Sequence, residues 1–190
     1  MTTSSAQLAA RKNWVLVLES LVPEDVLRQA LESGENSDYL KIRANPGLSG
    51  AIAIAHKYGK NIHFMTTICA DDAAKQQLPL QNTLQKLCLL PPETRQKIIG
   101  GFCCGDRKEC LRQLSAMNDD VTLLASDVAF LDDAKKQAAD IKTVIILTDD
   151  NKNDAFSGSP HTPVKNPDWL MFFMSRALEK RQKAPTPQKR

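Results

Sequence analysis

The sequence predicts an α/β domain built on a parallel, Rossmann-like sheet flanked by helices. Two observations carry that expectation. Short apolar runs rich in β-forming residues recur at 14–18, 61–65, 128–131 and 143–147. Stretches with helical spacing of apolar residues, punctuated by Pro and Gly, separate them. Alternation of strands with helices argues for βαβ units and a parallel sheet covered on its faces. The chain has 190 residues, of which 42% are hydrophobic and 25% charged, which suits one globular domain with a substantial core.

The elements follow in order. The run Trp-Val-Leu-Val-Leu at 14–18 reads as a buried strand. Pro23 with Glu24 and Asp25 then starts a helix, because Pro suits the first helical position and acids suit the first turn. Val26, Leu27, Ala30 and Leu31 give it an apolar face, and it ends near Gly34. A polar loop leads to Pro46-Gly47 and a second helix that Gly59 closes. Residues 61–65 form the next strand, followed by Thr66 and Thr67. Helical spacing returns over 70–90, interrupted near Pro79, and again after Pro91-Pro92. Residues 98–105 read as a short strand and turn, and 107–117 as a helix. The run at 128–131 reads as a strand ending in Asp132-Asp133, followed by a short helix over 134–140. The run at 143–147 is the last strand, ending near Asp149-Asp150. Residues 151–167 are loop-like, and a final helix over 168–180 carries Trp169, Phe172, Phe173 and Ala177. The domain thus spans 13–180, between a disordered segment at 1–12 and a basic disordered tail at 181–190.

Bulk chemistry narrows the class. A net charge of +3 is small, and nucleic acid is not the expected partner. Lys180, Arg181, Lys183, Lys189 and Arg190 concentrate basic charge at the C-terminus. The last helix and this tail are the segment best suited to a protein partner. Five cysteines, an odd number that includes the adjacent Cys103-Cys104, do not make a disulfide framework. They fit reduced thiols in a cytoplasmic chain, and export without a classical signal stays open. No apolar run is long enough to cross a bilayer.

In an open α/β sheet, ligands sit at the carboxyl ends of the strands. The polar residues that follow the expected strands are Glu19 and Ser20, Thr66 and Thr67, Asp132 and Asp133, and Asp149 and Asp150. Lys108 lies upstream of the aspartate pair, with Lys97 and Arg107 as alternatives. Carboxylates hold magnesium, a hydroxyl and a cation hold phosphate oxygens, and a carboxylate can attack phosphorus.

That ordered set resembles the haloacid dehalogenase-like (HAD) superfamily. Residues 45–67 are similar to the stretch through its second motif, where an apolar strand ends in Thr or Ser. Residues 128–144 are similar to its fourth motif, a strand ending in Asp-Asp. The resemblance covers about 14–147. It implies magnesium-dependent phosphoester hydrolysis, with Glu19, Thr66 and Lys108 as catalytic positions and Glu19, Asp132 and Asp133 around Mg2+. The first motif departs from the family, which carries Asp-x-Asp there. Here Glu19 stands at the nucleophile position and Leu21 at the general acid/base position. Leucine transfers no proton, a loss worth typically about 10²–10⁴-fold. A longer carboxylate displaces the attacking oxygen, which costs on the order of a further 10²-fold. The resemblance therefore implies a degenerate member with little or no cap that acts by binding a partner. An atypical phosphohydrolase using Glu19 is the alternative, followed by a PIN-like metal-dependent nuclease or a receiver-like module.

Overall fold

A computed structural model describes residues 12–33, 59–68, 99–117, 120–148, 151 and 160–164. The described chain forms β1 (Asn13–Val17), a 3-10 turn (Leu18–Ser20), α1 (Glu24–Ser33), β2 (Asn61–Thr66) and β3 (Ile99–Cys104). It continues through α2 (Arg107–Ala116), β4 (Val121–Ala125), α3 (Val128–Gln137), β5 (Lys142–Ile146) and β6 (Thr162–Val164). The six strands form one sheet in the order β3-β2-β1-β4-β5-β6. Every neighbouring pair is parallel. This is the parallel Rossmann-like α/β arrangement that the sequence predicts.

The central strands are apolar on both faces. Every residue of β4 is buried, as are the last four of β1 and of β5. Such runs are expected where a parallel sheet has both faces covered. On one face Val15, Val17, Met65, Leu123, Ala125 and Ile145 pack with Cys110, Leu111 and Leu114 of α2 and Phe130, Leu131 and Ala134 of α3. The intervening residues Trp14, Leu16, Ile62, Phe64, Leu124, Val144 and Ile146 are buried as well. Gly59 precedes β2 with φ +63°, the left-handed conformation that favours glycine. Gly101 faces His63 across β2 and β3, and a Cβ there would lie 3.1 Å from the imidazole Nδ1.

The sequence reading of residues 128–140 needs correction. Residues 128–131 are not a strand; they are the first turn of α3, and the strand is Val121–Ala125. Asp132 and Asp133 consequently lie within a helix, not at a strand end. The physical reason is local. Asp127 accepts the Phe130 amide at 3.0 Å, an N-cap that starts the helix immediately after Ser126. Phe130, Leu131 and Ala134 then fall at helical spacing onto the buried face. The helix ends at Gln137 rather than at 140. Two smaller differences concern strand bounds. Leu18 belongs to the 3-10 turn rather than to β1, and β6 arises within the expected loop 151–167. The readings at 1–11, 34–58, 70–98, 149–150 and 165–190, including any cap, the C-terminal helix and the tail, lie outside the described residues.

Candidate functional site

The sheet order fixes where a ligand site is expected. From β1 the chain proceeds to β2 and β3 on one side, and then to β4, β5 and β6 on the other. Between β1 and β4 the winding reverses. At such a switch point the connections leave to opposite sides and open a crevice at the carboxyl ends. A cavity of about 400 Å³ lies there, lined by Val17, Glu19 and Ser20 after β1 and by Ser126, Asp127 and Phe130 after β4. Thr67 and Ile68 after β2, and Glu24 and Arg28 of α1, complete its wall.

Polar contacts stitch the four strand ends together. The Glu19 carboxylate accepts, through Oε1, both the Thr67 amide and the Thr67 hydroxyl, the latter at 2.8 Å. Its other oxygen, Oε2, is buried and has no hydrogen-bond partner among the described residues. Ser20 Oγ accepts the Ser126 amide at 2.7 Å and contacts the Ser126 hydroxyl at 3.1 Å. Asn151 donates through Nδ2 to the carbonyls of Ser126 (2.7 Å) and Ile146 (3.0 Å), and its Oδ1 accepts the Thr148 amide. β1 is thereby tied to β2 and β4, and β4 to β5, at the end where the crevice opens. On α1, Arg28 pairs with Glu24 at 2.6 Å, but both are exposed, so the pair contributes under about 1 kcal/mol.

Asp127 has a double role. Oδ1 caps α3 through the Phe130 amide, and Oδ2 lies 3.4 Å from Arg107 Nη1. The same guanidinium reaches Asp133 with Nη2 at 2.9 Å and lies 5.7 Å above the centre of the Phe130 ring. Lys136 approaches Asp133 from the other side at 3.3 Å. Lys136 and Arg107 together hold the Asp133 carboxyl below its ordinary range.

Only part of the sequence-derived set is brought together. Glu19 lies on the crevice wall as expected. Thr66 is fully buried; its hydroxyl accepts the Ile68 amide at 3.2 Å, and Thr67 is the threonine that meets Glu19. Lys108 is exposed in the first turn of α2 and is not part of the crevice wall. Asp132 turns to His161, whose Nε2 lies 3.1 Å from Oδ1 while Nδ1 lies 2.7 Å from the Thr143 hydroxyl. Burial holds the His161 pKa below its ordinary value, against the pull of Asp132. The neutral ring thus donates to Asp132 and accepts from Thr143, tying β6 and α3 to β5. Ser20, Thr67, Ser126, Asp127 and Asn151 are the polar residues that build the site. Ser126-Asp127 carries a sequence signal in the run Val-Thr-Leu-Leu-Ala before it and in Asp127 itself, a residue type that caps helices. Lys97 lies outside the described residues.

Comparisons with family models, with curated proteins and with solved structures each return no match. Among the described residues, no helix is long and apolar enough to cross a membrane.

Proposed function

We propose that this chain is a degenerate HAD-like domain that binds a phosphorylated ligand through magnesium in the Glu19 crevice without hydrolysing it. The supporting observation is the state of Glu19 at the switch point. One carboxylate oxygen is fixed by Thr67, and the other is buried without a hydrogen-bond partner among the described residues. A buried unpaired carboxylate oxygen is costly unless a cation or donor meets it. Magnesium commonly uses one or two protein carboxylates and completes its shell with water and phosphate. Glu19, with Asp127 across the crevice, fits that donor set, and the Ser20, Thr67 and Ser126 hydroxyls suit phosphate oxygens. Among the described residues, no three His, Cys, Asp or Glu groups converge as a complete metal cage. The ligand's own oxygens therefore belong to the coordination shell. When bound, the ion neutralises phosphate charge. On this reading hydrolysis lacks the family's proton donor, because a buried leucine, Leu21, stands at the acid/base position. Residues 168–190 are the segment offered to a protein partner.

A second reading is a Glu19-dependent hydrolase of the PIN-like kind, whose chemistry needs several acids facing one ion. It is favoured by the three carboxylates that line the crevice, Glu19, Glu24 and Asp127. One set of measurements separates the readings. Calorimetry with magnesium, without and with inorganic phosphate, is run beside turnover of an aryl phosphate and of single-stranded RNA. Magnesium binding that is lost in Glu19→Ala, with no turnover of either substrate, is the expected result. Turnover that disappears in both Glu19→Ala and Asp127→Asn establishes the hydrolase instead. No magnesium binding at all sinks both readings.

A further inference from the structure

Behind β2 and β3, away from the crevice wall, two thiols face each other. Cys103 lies near the carboxyl end of β3, and Cys110 lies on the buried side of α2. Their sulfurs are 3.6 Å apart. Cys110 is fully buried and Cys103 is 4% exposed. Both are thiols here. The single Cys110 S–H also has the carbonyls of Thr66 (3.5 Å) and Gly105 (3.6 Å) in reach, so its proton is shared among these acceptors and the Cys103 sulfur.

We propose that Cys103 and Cys110 are a redox-modification site that forms a reversible disulfide with hydrogen peroxide as oxidant. The proposal is independent of what the crevice binds. A disulfide bond is about 2.05 Å long, so the sulfurs must approach by roughly 1.5 Å. Cys103 is the attacking residue because it is the less buried of the two. The hydrogen bond from Cys110 holds the Cys103 thiol below its ordinary range, assisted by Arg112 and opposed by burial and Glu109. A lowered thiol pKa raises the thiolate fraction, which is the form that reacts.

The chemistry balances as follows. The Cys103 thiolate attacks one peroxide oxygen, the O–O bond breaks, and hydroxide leaves and is protonated to water. Cys103 is now a sulfenic acid. The Cys110 sulfur attacks the Cys103 sulfur, the S–O bond breaks, and the departing hydroxide takes up the Cys110 proton as a second water. Two thiols lose two electrons in total, and one peroxide becomes two waters. The burial of both sulfurs makes local opening of the β3–α2 connection the step that admits the oxidant. A small peroxide fits that route better than a bulky disulfide reagent. Oxidation removes the Cys110 S–H bond to the Thr66 carbonyl, which also accepts the Gly105 amide at 3.4 Å. Thr66 directly precedes Thr67, the threonine that donates to Glu19.

The full chain is treated with hydrogen peroxide, blocked with N-ethylmaleimide, digested with trypsin and read by mass spectrometry. The expected product links the peptides 98–107 and 109–112, with the mass lowered by two hydrogens. Fragmentation places the bond at Cys103 rather than Cys104. The link persists in Cys104→Ser and disappears on reduction with dithiothreitol. Three results overturn the proposal: both thiols recovered as maleimide adducts, conversion to unlinked sulfinic or sulfonic acids, or a link that maps to Cys104. The parent chain alone decides the matter, so the folding of any variant is not at issue.

Discussion

Glu19 and Asp133 are both carboxylates on the same sheet-and-helix framework, and their neighbours differ in charge. At the carboxyl ends of β1 and β4, Glu19 accepts from the neutral amide and hydroxyl of Thr67, and its second oxygen meets no hydrogen-bond donor among the described residues. On the outer face of α2 and α3, Asp133 lies between Arg107 and Lys136. The second carboxylate is paired with two cations, whereas the first meets no cation among the described residues. Functional sites tend to hold such uncompensated groups, while structural ones are paired.

Phe130 joins the two regions, because it closes the crevice wall, packs in the core and carries Arg107 over its ring. Phe130→Ala is therefore expected to give the largest effect. Truncating a fully buried phenylalanine costs about 3–5 kcal/mol. Urea unfolding at unchanged slope measures it, and a loss under about 1 kcal/mol would show that the wall collapses around the cavity. Next in size is the Ser20–Ser126 link. Ser20→Ala removes the acceptor of a part-buried backbone amide and is expected to cost about 1–3 kcal/mol. Ser126→Ala keeps that bond and loses only the hydroxyl contact, so it is expected to cost less than Ser20→Ala in the same measurement. Equal costs would mean that the side-chain contact, not the amide, ties β1 to β4.

This pair of serines also shows what the sequence could and could not reveal. β1, β2 and β5 were legible because each is a short apolar run with a polar end. Glu19 was legible because it follows such a run. Ser20 and Ser126 are 106 residues apart, and their contact exists only because β4 lies beside β1. Nothing local encodes that neighbour choice. The reading at 128–133 failed for another reason. Val-Ala-Phe-Leu followed by two aspartates has the composition of a strand and its polar end, and a four-residue run carries no reliable periodicity. The decisive information lay outside the run, in the Asp127 cap and in Ala134 one turn on.

Asp133 completes the comparison with the smallest expected effect. Lys136 and Arg107 hold its carboxyl below the ordinary 3.8, so the folded chain keeps it ionised where the unfolded chain would protonate it. Its contribution is therefore present above about pH 3.8 and is lost as pH falls through the lowered value. Asp133→Asn should lower stability near neutral pH only slightly, because both cations remain solvated and the pair is screened by salt. The variant should lose that small contribution at every pH, so its unfolding free energy declines less steeply below pH 4 and converges on the parent's, read from urea midpoints taken at low ionic strength. High salt should shrink the difference between parent and variant. An unchanged acid slope would show that Arg107 is held by Asp127 and the Phe130 ring alone. Asp127 would then be the carboxylate that links the paired outer face to the crevice.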